Sequence, residues 1–330
     1  MPEGLRTLVA VVPRCLKSAW MSIFISIAAY RDPELVPTIL DCLAKAERPD
    51  EIRIGLCWQH AGDESIDAIA ADPRLRILDV PAEESGGACW ARARAMGLYA
   101  GETYFMQLDS HHRFAPGWDT RLTAELLRAP STKPLLTTYC PAYVPWLPVP
   151  EERQPTGIVF DRFSGPVPLV RGGGVDPHPA GEPIPARFLS GHFIFTLGSF
   201  VTEVPYDPQL YFHGEEISLA LRAYTWGYDL FHPSEAVVWH YYERKAQPKH
   251  WEDHQSTDGV RPAWNDRDRV SKRRVRNLLL GLAYGKFGHG PVRSVADYEQ
   301  LSGLSFASGS VRRPEVAAPA PARAGALRCG

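Results

Sequence analysis

The pattern that most constrains this chain is a repeated change of hydrophobic period along its first 130 residues. Short, nearly continuous apolar runs occur in MSIFISIAAY, IRIGLCW, LRILDV and TYFMQLD, and segments with helical spacing separate them. Continuous apolar runs are typical of strands buried on both faces of a parallel sheet, and helices connect such strands. The sequence therefore predicts an α/β fold with a mostly parallel sheet and a ligand site at the carboxyl ends of its strands.

The predicted strands span residues 21–30, 52–58, 75–80 and 103–109. After the first strand, Asp32 can cap a helix whose first turn accommodates Pro33. Further helices are predicted over 87–100, after Pro116-Gly117, over 215–228 and in the basic segment that starts near residue 269.

The local amino-acid composition divides the chain into three predicted parts. Residues 1–20 are expected to be a flexible leader, 21–290 a single folded domain, and 291–330 a largely disordered extension rich in Ala, Pro and Arg. Within the domain, 141–187 is dense in Pro and Gly without a sustained period. It is predicted to be a long loop over the donor or the acceptor.

Composition excludes several classes of protein. The formal net charge is −2, which gives no reason to expect nucleic acid or a membrane surface as partner. The six cysteines have no paired spacing, which argues against a disulfide framework or a zinc knuckle and favours a reducing compartment, the cytoplasm. No apolar run approaches the roughly 18 residues of a transmembrane helix.

The fourth predicted strand ends abruptly in the polar sequence QLDSHHRF. Alternation along a strand would point Asp109 and His111 to one side and His112 to the other. One carboxylate and one imidazole suit a divalent ion of intermediate hardness such as Mn²⁺. From the local sequence alone, a turn or helix cap with partly exposed histidines is an equal alternative, and either histidine could be the ligand.

Two downstream motifs carry further candidates. FHGEE places Glu215 and Glu216 at the start of a predicted helix, where acidic residues are also common for purely structural reasons. VVWH ends a predicted strand in His240, and a lone histidine is more often structural than a ligand. Their combination with Asp109 at element ends favours a functional cluster.

A glycine-containing run, EESGGACWARAR, precedes the helix over 87–100. Two glycines before a helix can admit a phosphate near its N-terminus, and Arg92 or Arg94 could pair with a diphosphate. The run lacks a complete dinucleotide-binding or Walker pattern.

In their order, the motifs SIAAYRDPEL, GACWARARAM, QLDSHHRF, FHGEEISLALRAYTWGYD and VVWHYYER resemble those of GT-A glycosyltransferases. These enzymes have a Rossmann-like fold for nucleotide-diphospho-sugars. The resemblance is greatest to the cytosolic hydroxyproline-polypeptide α-N-acetylglucosaminyltransferases and their bacterial relatives. The Asp-Ser-His tripeptide also resembles the DxD-type motif of polypeptide GalNAc-transferases.

The resemblance implies a UDP-sugar-dependent transferase, with GlcNAc as the sugar and retention of the α configuration. It implies a Mn²⁺ or Mg²⁺ ion as cofactor, and an acceptor hydroxyl on a protein hydroxyproline, serine or threonine, on a glycan or on a small molecule. The implied ligands of the ion are Asp109, His111 and His240. The implied donor contacts are Arg31, Arg92, Asp109 and Gly191, with Glu215 and Glu216 near the sugar or acceptor.

Two other functions fit the same residues. A metal-dependent nucleotidyltransferase or phosphohydrolase would use the same Asp and His cluster. A non-catalytic sugar-nucleotide-binding protein would bind the donor without turnover. The sequence specifies neither the acceptor nor an oligomeric state.

Overall fold

A computed structural model describes residues 21–151, 154–176, 178–243, 247–255, 263–283 and 285–313. The predicted leader, 1–20, lies outside the described residues, as do residues 314–330 of the predicted extension.

The first half of the described chain alternates strands and helices, as the hydrophobic periods predict. Its elements are β1 (Ile23–Tyr30), α1 (Leu35–Lys45), β2 (Ile52–His60), α2 (Asp67–Ala70), β3 (Leu75–Pro81), α3 (Ala88–Met96), β4 (Tyr104–Asp109), β5 (His112–Phe114) and α4 (Trp118–Arg128).

The second half is less regular and contains shorter strands. Its elements are β6 (Pro134–Thr137), β7 (Gly157–Ser164), β8 (Val167–Gly173), β9 (Ile184–Pro185), β10 (Phe193–Leu197), α5 (Phe200–Glu203), α6 (Glu215–Thr225), β11 (Asp229–His232), β12 (Val238–His240), α7 (His250–Asp253), α8 (Trp264–Leu279), α9 (Val295–Ser302), β13 (Leu304–Ser305) and β14 (Ser310–Val311).

Eight strands form one central sheet in the order β3-β2-β1-β4-β10-β6-β11-β9. β1, β2, β3 and β4 are mutually parallel, β11 is parallel to β6, and β10 runs antiparallel between β4 and β6. The predicted α/β fold with a mostly parallel sheet is therefore confirmed. One face of the sheet packs on α1 and α4, and the other on α3 and α6, which gives two apolar layers.

The segment 141–187 differs from the predicted long loop, because it contains the antiparallel hairpin β7–β8 and the short strand β9. The inward side chains of the hairpin, Ile158, Phe160 and Val167, are buried. Glycine permits its close pairing, since a Cβ on Gly173 would lie 2.8 Å from Val159. The density of Gly and Pro concealed these strands in the sequence.

Residues 291–313 also differ from the predicted disordered extension. α9 begins at a capping box in which Ser294 and Asp297 satisfy each other's backbone N–H groups. Tyr298 is fully buried, and its hydroxyl donates to the carbonyl of Arg187 at 2.9 Å. The folded domain thus continues to at least residue 313. In the described part of the chain, no helix combines the length and apolar character that crossing a bilayer requires.

Candidate active site

Asp109, His111 and His240 converge beyond the carboxyl end of β4. One potential ligand atom from each lies within 4.8 Å of the other two. Oδ2 of Asp109 is 3.3 Å from Nε2 of His240 and 3.7 Å from Nε2 of His111. The chain thus brings together one carboxylate and two imidazoles that the sequence separates by up to 131 positions.

Strand pairing explains how His240 reaches this place. β4 ends at Asp109, the chain bends at residues 110 and 111, and β5 then pairs antiparallel with β12. In that register His240 lies opposite His112, and the N–H of Tyr241 donates to the carbonyl of His111 at 3.1 Å. Simple alternation along a continuous strand does not apply here, because the strand stops at Asp109. The bend brings His111 back beside the carboxylate.

Asp32 fixes the orientation of His111. Oδ2 of Asp32 lies 2.7 Å from Nδ1 of His111 and accepts the hydroxyl of Ser110 at 2.5 Å. A carboxylate on Nδ1 holds that nitrogen as the proton-bearing one and leaves the Nε2 lone pair facing Asp109, an arrangement typical of histidine ligands of metals. Asp32 also keeps a role at the start of the helix: α1 begins at Leu35 with Glu34 as its N-cap, and Oδ1 of Asp32 accepts the N–H of Glu34 at 3.0 Å.

His112 lies behind the cluster. Its side chain is fully buried, and its Nδ1 is 3.1 Å from the carbonyl oxygen of Asp109. Burial and the neighbouring His111 lower the pKa of His112 well below its usual value. Burial likewise lowers the pKa of His240 to about 3, against the opposing hydrogen bond to Asp109, so both imidazoles are neutral at physiological pH.

Arg92 holds Asp109 from the other side. Its guanidinium donates to Oδ1 of Asp109 at 2.5 Å, lies 3.0 Å from Oε1 of Glu215, and also donates to the carbonyl of Gly191. Burial alone would raise the pKa of Asp109, but the charge of Arg92 and the hydrogen bond with His240 hold it well below its usual range. Asp109 is therefore an ionised carboxylate.

The predicted residues Gly191, Glu215 and Glu216 form the support of Arg92. Glu215 is buried and accepts the hydroxyl of Tyr206 at 2.7 Å. Glu216 accepts the N–H of Gly191 at 3.1 Å, and burial raises its pKa to about 7. A Cβ on Gly191 would lie 3.0 Å from Oε1 of Glu215, so the missing side chain lets the backbone approach the glutamate.

A cavity of about 270 Å³ opens over the cluster. Asp109, His111, His240 and Arg92 line one part of it. Aromatic rings line another part and come from the end of β1, the segment before α6, and α7: Tyr30, Phe212, His250 and Trp251. Glu215 and Glu216 are not among the described residues that line the cavity.

Arg31 follows Tyr30, one of the residues that line this cavity. Its backbone has a positive φ of 46°, and its guanidinium is 3.2 Å from Asp253 of α7. The hydroxyl of Tyr30 donates to the same carboxylate at 2.6 Å. These two contacts with Asp253 hold the end of β1 against α7, and Arg31 provides one of them.

Several residues of the site were not predicted from the sequence. Asp32 contacts His111 across 79 positions, and its local pattern suggested only a cap. His250 and Trp251 lie in a short helix without a hydrophobic period. Their signal was compositional: three aromatic or imidazole side chains occur within the run HWEDH, residues 250–254.

The fold defines a class of protein. Among solved structures, the crystal structure of GalNAc-T7 with UDP, GalNAc and Mn²⁺ is similar to this chain, with a TM-score of 0.55 and 13% identity over 85% of this chain. The alignment covers 54% of that chain, so this protein spans about half of its length. The similarity shows that the fold is GT-A, the fold of nucleotide-sugar glycosyltransferases.

Two structures of TarS from S. aureus are more distant. TarS 1–349 has a TM-score of 0.45 and 13% identity, covering 78% of this chain and 72% of that one. Its complex with UDP-GlcNAc has a TM-score of 0.43 and 12% identity, covering 78% and 73%. No curated protein matches the chain significantly in sequence.

A family model identifies the protein more narrowly. The model for glycosyltransferase (GlcNAc) matches residues 22–74 and 67–308, which together are most of the chain. The chain belongs to this family of glycosyltransferases.

Proposed function

We propose that this protein transfers GlcNAc from UDP-GlcNAc to an acceptor hydroxyl, with a divalent ion held by Asp109, His111 and His240. The convergence of these three side chains in one wall of the cavity carries the proposal. Family membership supports glycosyl transfer, and the presence of UDP, GalNAc and Mn²⁺ in GalNAc-T7 supports a UDP-sugar and a metal.

The donor set fits Mn²⁺, with Mg²⁺ as the alternative. Two imidazoles and an ionised carboxylate suit an ion of intermediate hardness. Asp32 supports this fit, because it orients Nε2 of His111 toward Asp109. When bound, such an ion supplies charge stabilisation for the departing diphosphate.

The remaining cavity suits the nucleotide. The rings of Tyr30, Phe212 and Trp251 offer apolar surface for a nucleobase, beside the charged part that suits a diphosphate. We assign Arg31 to the nucleotide end, where its pairing with Asp253 ties α7 to β1. Arg92 is assigned to the diphosphate end, where it also keeps Asp109 ionised.

We infer different roles for the two glutamates. Glu215 is a positioning residue, because its contacts are with Arg92 and Tyr206. Glu216 is partly exposed and accepts the N–H of Gly191, so it holds the backbone beside the site. In a retaining reaction the leaving phosphate takes the acceptor proton, and neither glutamate needs to act as a base. In an inverting reaction one of the two glutamates would be the base; the pKa of about 7 favours Glu216, whose carboxylate would have to turn toward the cavity.

The proposal also includes the class of acceptor and the cellular compartment. The resemblance to hydroxyproline-polypeptide transferases favours a protein hydroxyproline, serine or threonine, with a glycan or small molecule as alternatives. A reducing compartment, the cytoplasm, is supported by the cysteines that the structure describes: Cys42, Cys57, Cys89 and Cys140 are all buried and free.

Nucleotide analysis tests this function. The protein is incubated with UDP-GlcNAc and Mn²⁺, with EDTA and Asp109→Asn as controls. We expect slow, metal-dependent release of UDP and free GlcNAc, faster when an acceptor is present. Release of UMP or phosphate instead would support a nucleotidyltransferase or phosphohydrolase. Tight donor binding without product, in the presence of candidate acceptors, would support a non-catalytic protein.

A further inference from the structure

A second cavity, of about 220 Å³, lies along α6 beyond the turn that carries the two glutamates. Ser218 and Arg222, one helical turn apart on α6, line one wall. Arg274 and Asn277, on one face of α8, line another. Different residues line the cavity over Asp109, so the cavity along α6 is a separate site.

Arg222 is buried beside this cavity, where its guanidinium donates to backbone carbonyls. Its side chain is 2% exposed, and its guanidinium donates to the carbonyls of Pro205 at 2.6 Å, Lys286 at 3.2 Å and Gly288 at 3.3 Å. No carboxylate in the described part of the chain lies within ion-pair distance of it. A guanidinium has five N–H groups, so these contacts leave donors for another acceptor.

Ser218 adds an unused hydroxyl. The residue is 2% exposed, lines the cavity, and its Oγ has no hydrogen-bond partner among the described residues. A buried hydroxyl without a partner is costly, and it is a ready donor to an oxygen placed in the cavity.

The charge of the cavity wall is positive. Arg274 pairs with Asp207 through two nitrogens, at 2.7 and 2.6 Å. That carboxylate is therefore committed to Arg274, and the charge of Arg222 is left over. Two guanidinium groups and one carboxylate line the cavity, which gives a net charge of +1.

We propose that this cavity binds a single phosphate-sized oxyanion through Arg222, Ser218 and Arg274. The anion would supply the acceptor that Arg222 and Ser218 lack, and charge-assisted hydrogen bonds from two guanidinium groups are well suited to hold it. Because its ligands differ from those of the donor site, the proposal is independent of the proposed transfer reaction.

A thermal-shift titration with inorganic phosphate tests the proposal. It is run on the full chain with EDTA present, against chloride at equal ionic strength and pH. At ten times its dissociation constant, phosphate should raise the melting temperature by about 2–4 °C. Asp109→Asn should keep this shift, because it alters only the donor site.

Variants locate the site. Ser218→Ala, which removes one hydroxyl, should weaken phosphate binding about tenfold, and Arg274→Gln should abolish the shift. Arg312→Gln is the matched control, since this exposed arginine also pairs with a carboxylate, Glu299, but outside the cavity. No phosphate-specific shift in the wild type would overturn the proposal. An equal shift in wild type, Ser218→Ala and Arg274→Gln would overturn it too.

Discussion

Arg92 and Arg222 are both buried, but their surroundings differ in charge. Arg92, on α3, contacts two carboxylates, Asp109 and Glu215. Arg222, on α6, donates to three backbone carbonyls and lies over the ring of Phe287, and no carboxylate of the described chain forms an ion pair with it. The first arrangement carries net negative charge before any ligand binds and suits a cation. The second carries net positive charge and suits an anion.

The comparison shows why residue type alone does not specify a site. Both arginines follow small or apolar neighbours in helices, and both lie beside cavities. Their different roles arise from long-range partners: Asp109 comes from β4, whereas Pro205 and Gly288 offer only carbonyl oxygens.

The largest expected effect is on stability. Arg92→Met should reduce the free energy of unfolding by about 3–5 kcal/mol at pH 8, because it leaves two carboxylates buried without their cation. Arg222→Met should cost about 1–3 kcal/mol, since only hydrogen bonds to carbonyls are lost. Urea denaturation of both variants measures the difference.

The pH dependence of these two variants sharpens the comparison. Removing Arg92 raises the pKa of Asp109, so the deficit of Arg92→Met should shrink from pH 8 to pH 5 as Asp109 takes up a proton. The deficit of Arg222→Met should stay constant, because no carboxylate pairs with that arginine. Equal pH dependence in both variants would show that the two arginines do not differ in their carboxylate partners.

A smaller effect is expected at Asp32. Asp32→Asn keeps an oxygen for the N–H of Glu34 but removes the carboxylate that orients His111. The affinity for Mn²⁺ should fall about 10–100-fold, as it does when outer partners of metal ligands are changed. Isothermal titration measures this, with Asp79→Asn as control, since Asp79 pairs with the peripheral His60. An unchanged affinity for Mn²⁺ in Asp32→Asn would argue that His111 is not a ligand of the metal.

The smallest effect concerns Glu216. Its folded pKa of about 7 lies above that of an unfolded glutamate, so the native state is penalised as the pH rises through 7 and is unaffected below about pH 4. Because the side chain is partly exposed and solvent screens part of this penalty, Glu216→Gln should be more stable than wild type at pH 8 by about 2 kcal/mol and no more stable at pH 4. Melting curves across this pH range measure the difference. A gain that is independent of pH would exclude titration as its cause.

Much of the fold could be predicted from sequence, because β1 to β4 and the helices between them have distinct hydrophobic periods. The hairpin β7–β8 could not, since its Gly and Pro residues obscure alternation. α9 was missed because its capping box and its single buried aromatic, Tyr298, are short signals beside a low-complexity tail.

The candidate site, too, could be predicted from the sequence only in part. Asp109, His111 and His240 stand at or just beyond the ends of apolar runs, and the resemblance to GT-A glycosyltransferases implied that they act together as metal ligands. Asp32, Ser218 and Arg222 were not assigned to sites, because their significance depends on which buried partners they have or lack. Such partnerships form between distant segments, and no local pattern encodes them.

The most direct test of the metal assignment counts bound Mn²⁺ by electron paramagnetic resonance with UDP-GlcNAc present. The wild type and His213→Ala, a control at an exposed histidine, should each bind one ion per chain. His240→Ala and Asp109→Asn should bind none at the same concentrations while remaining folded. One bound ion in both of these variants would contradict the assignment of the metal to Asp109, His111 and His240.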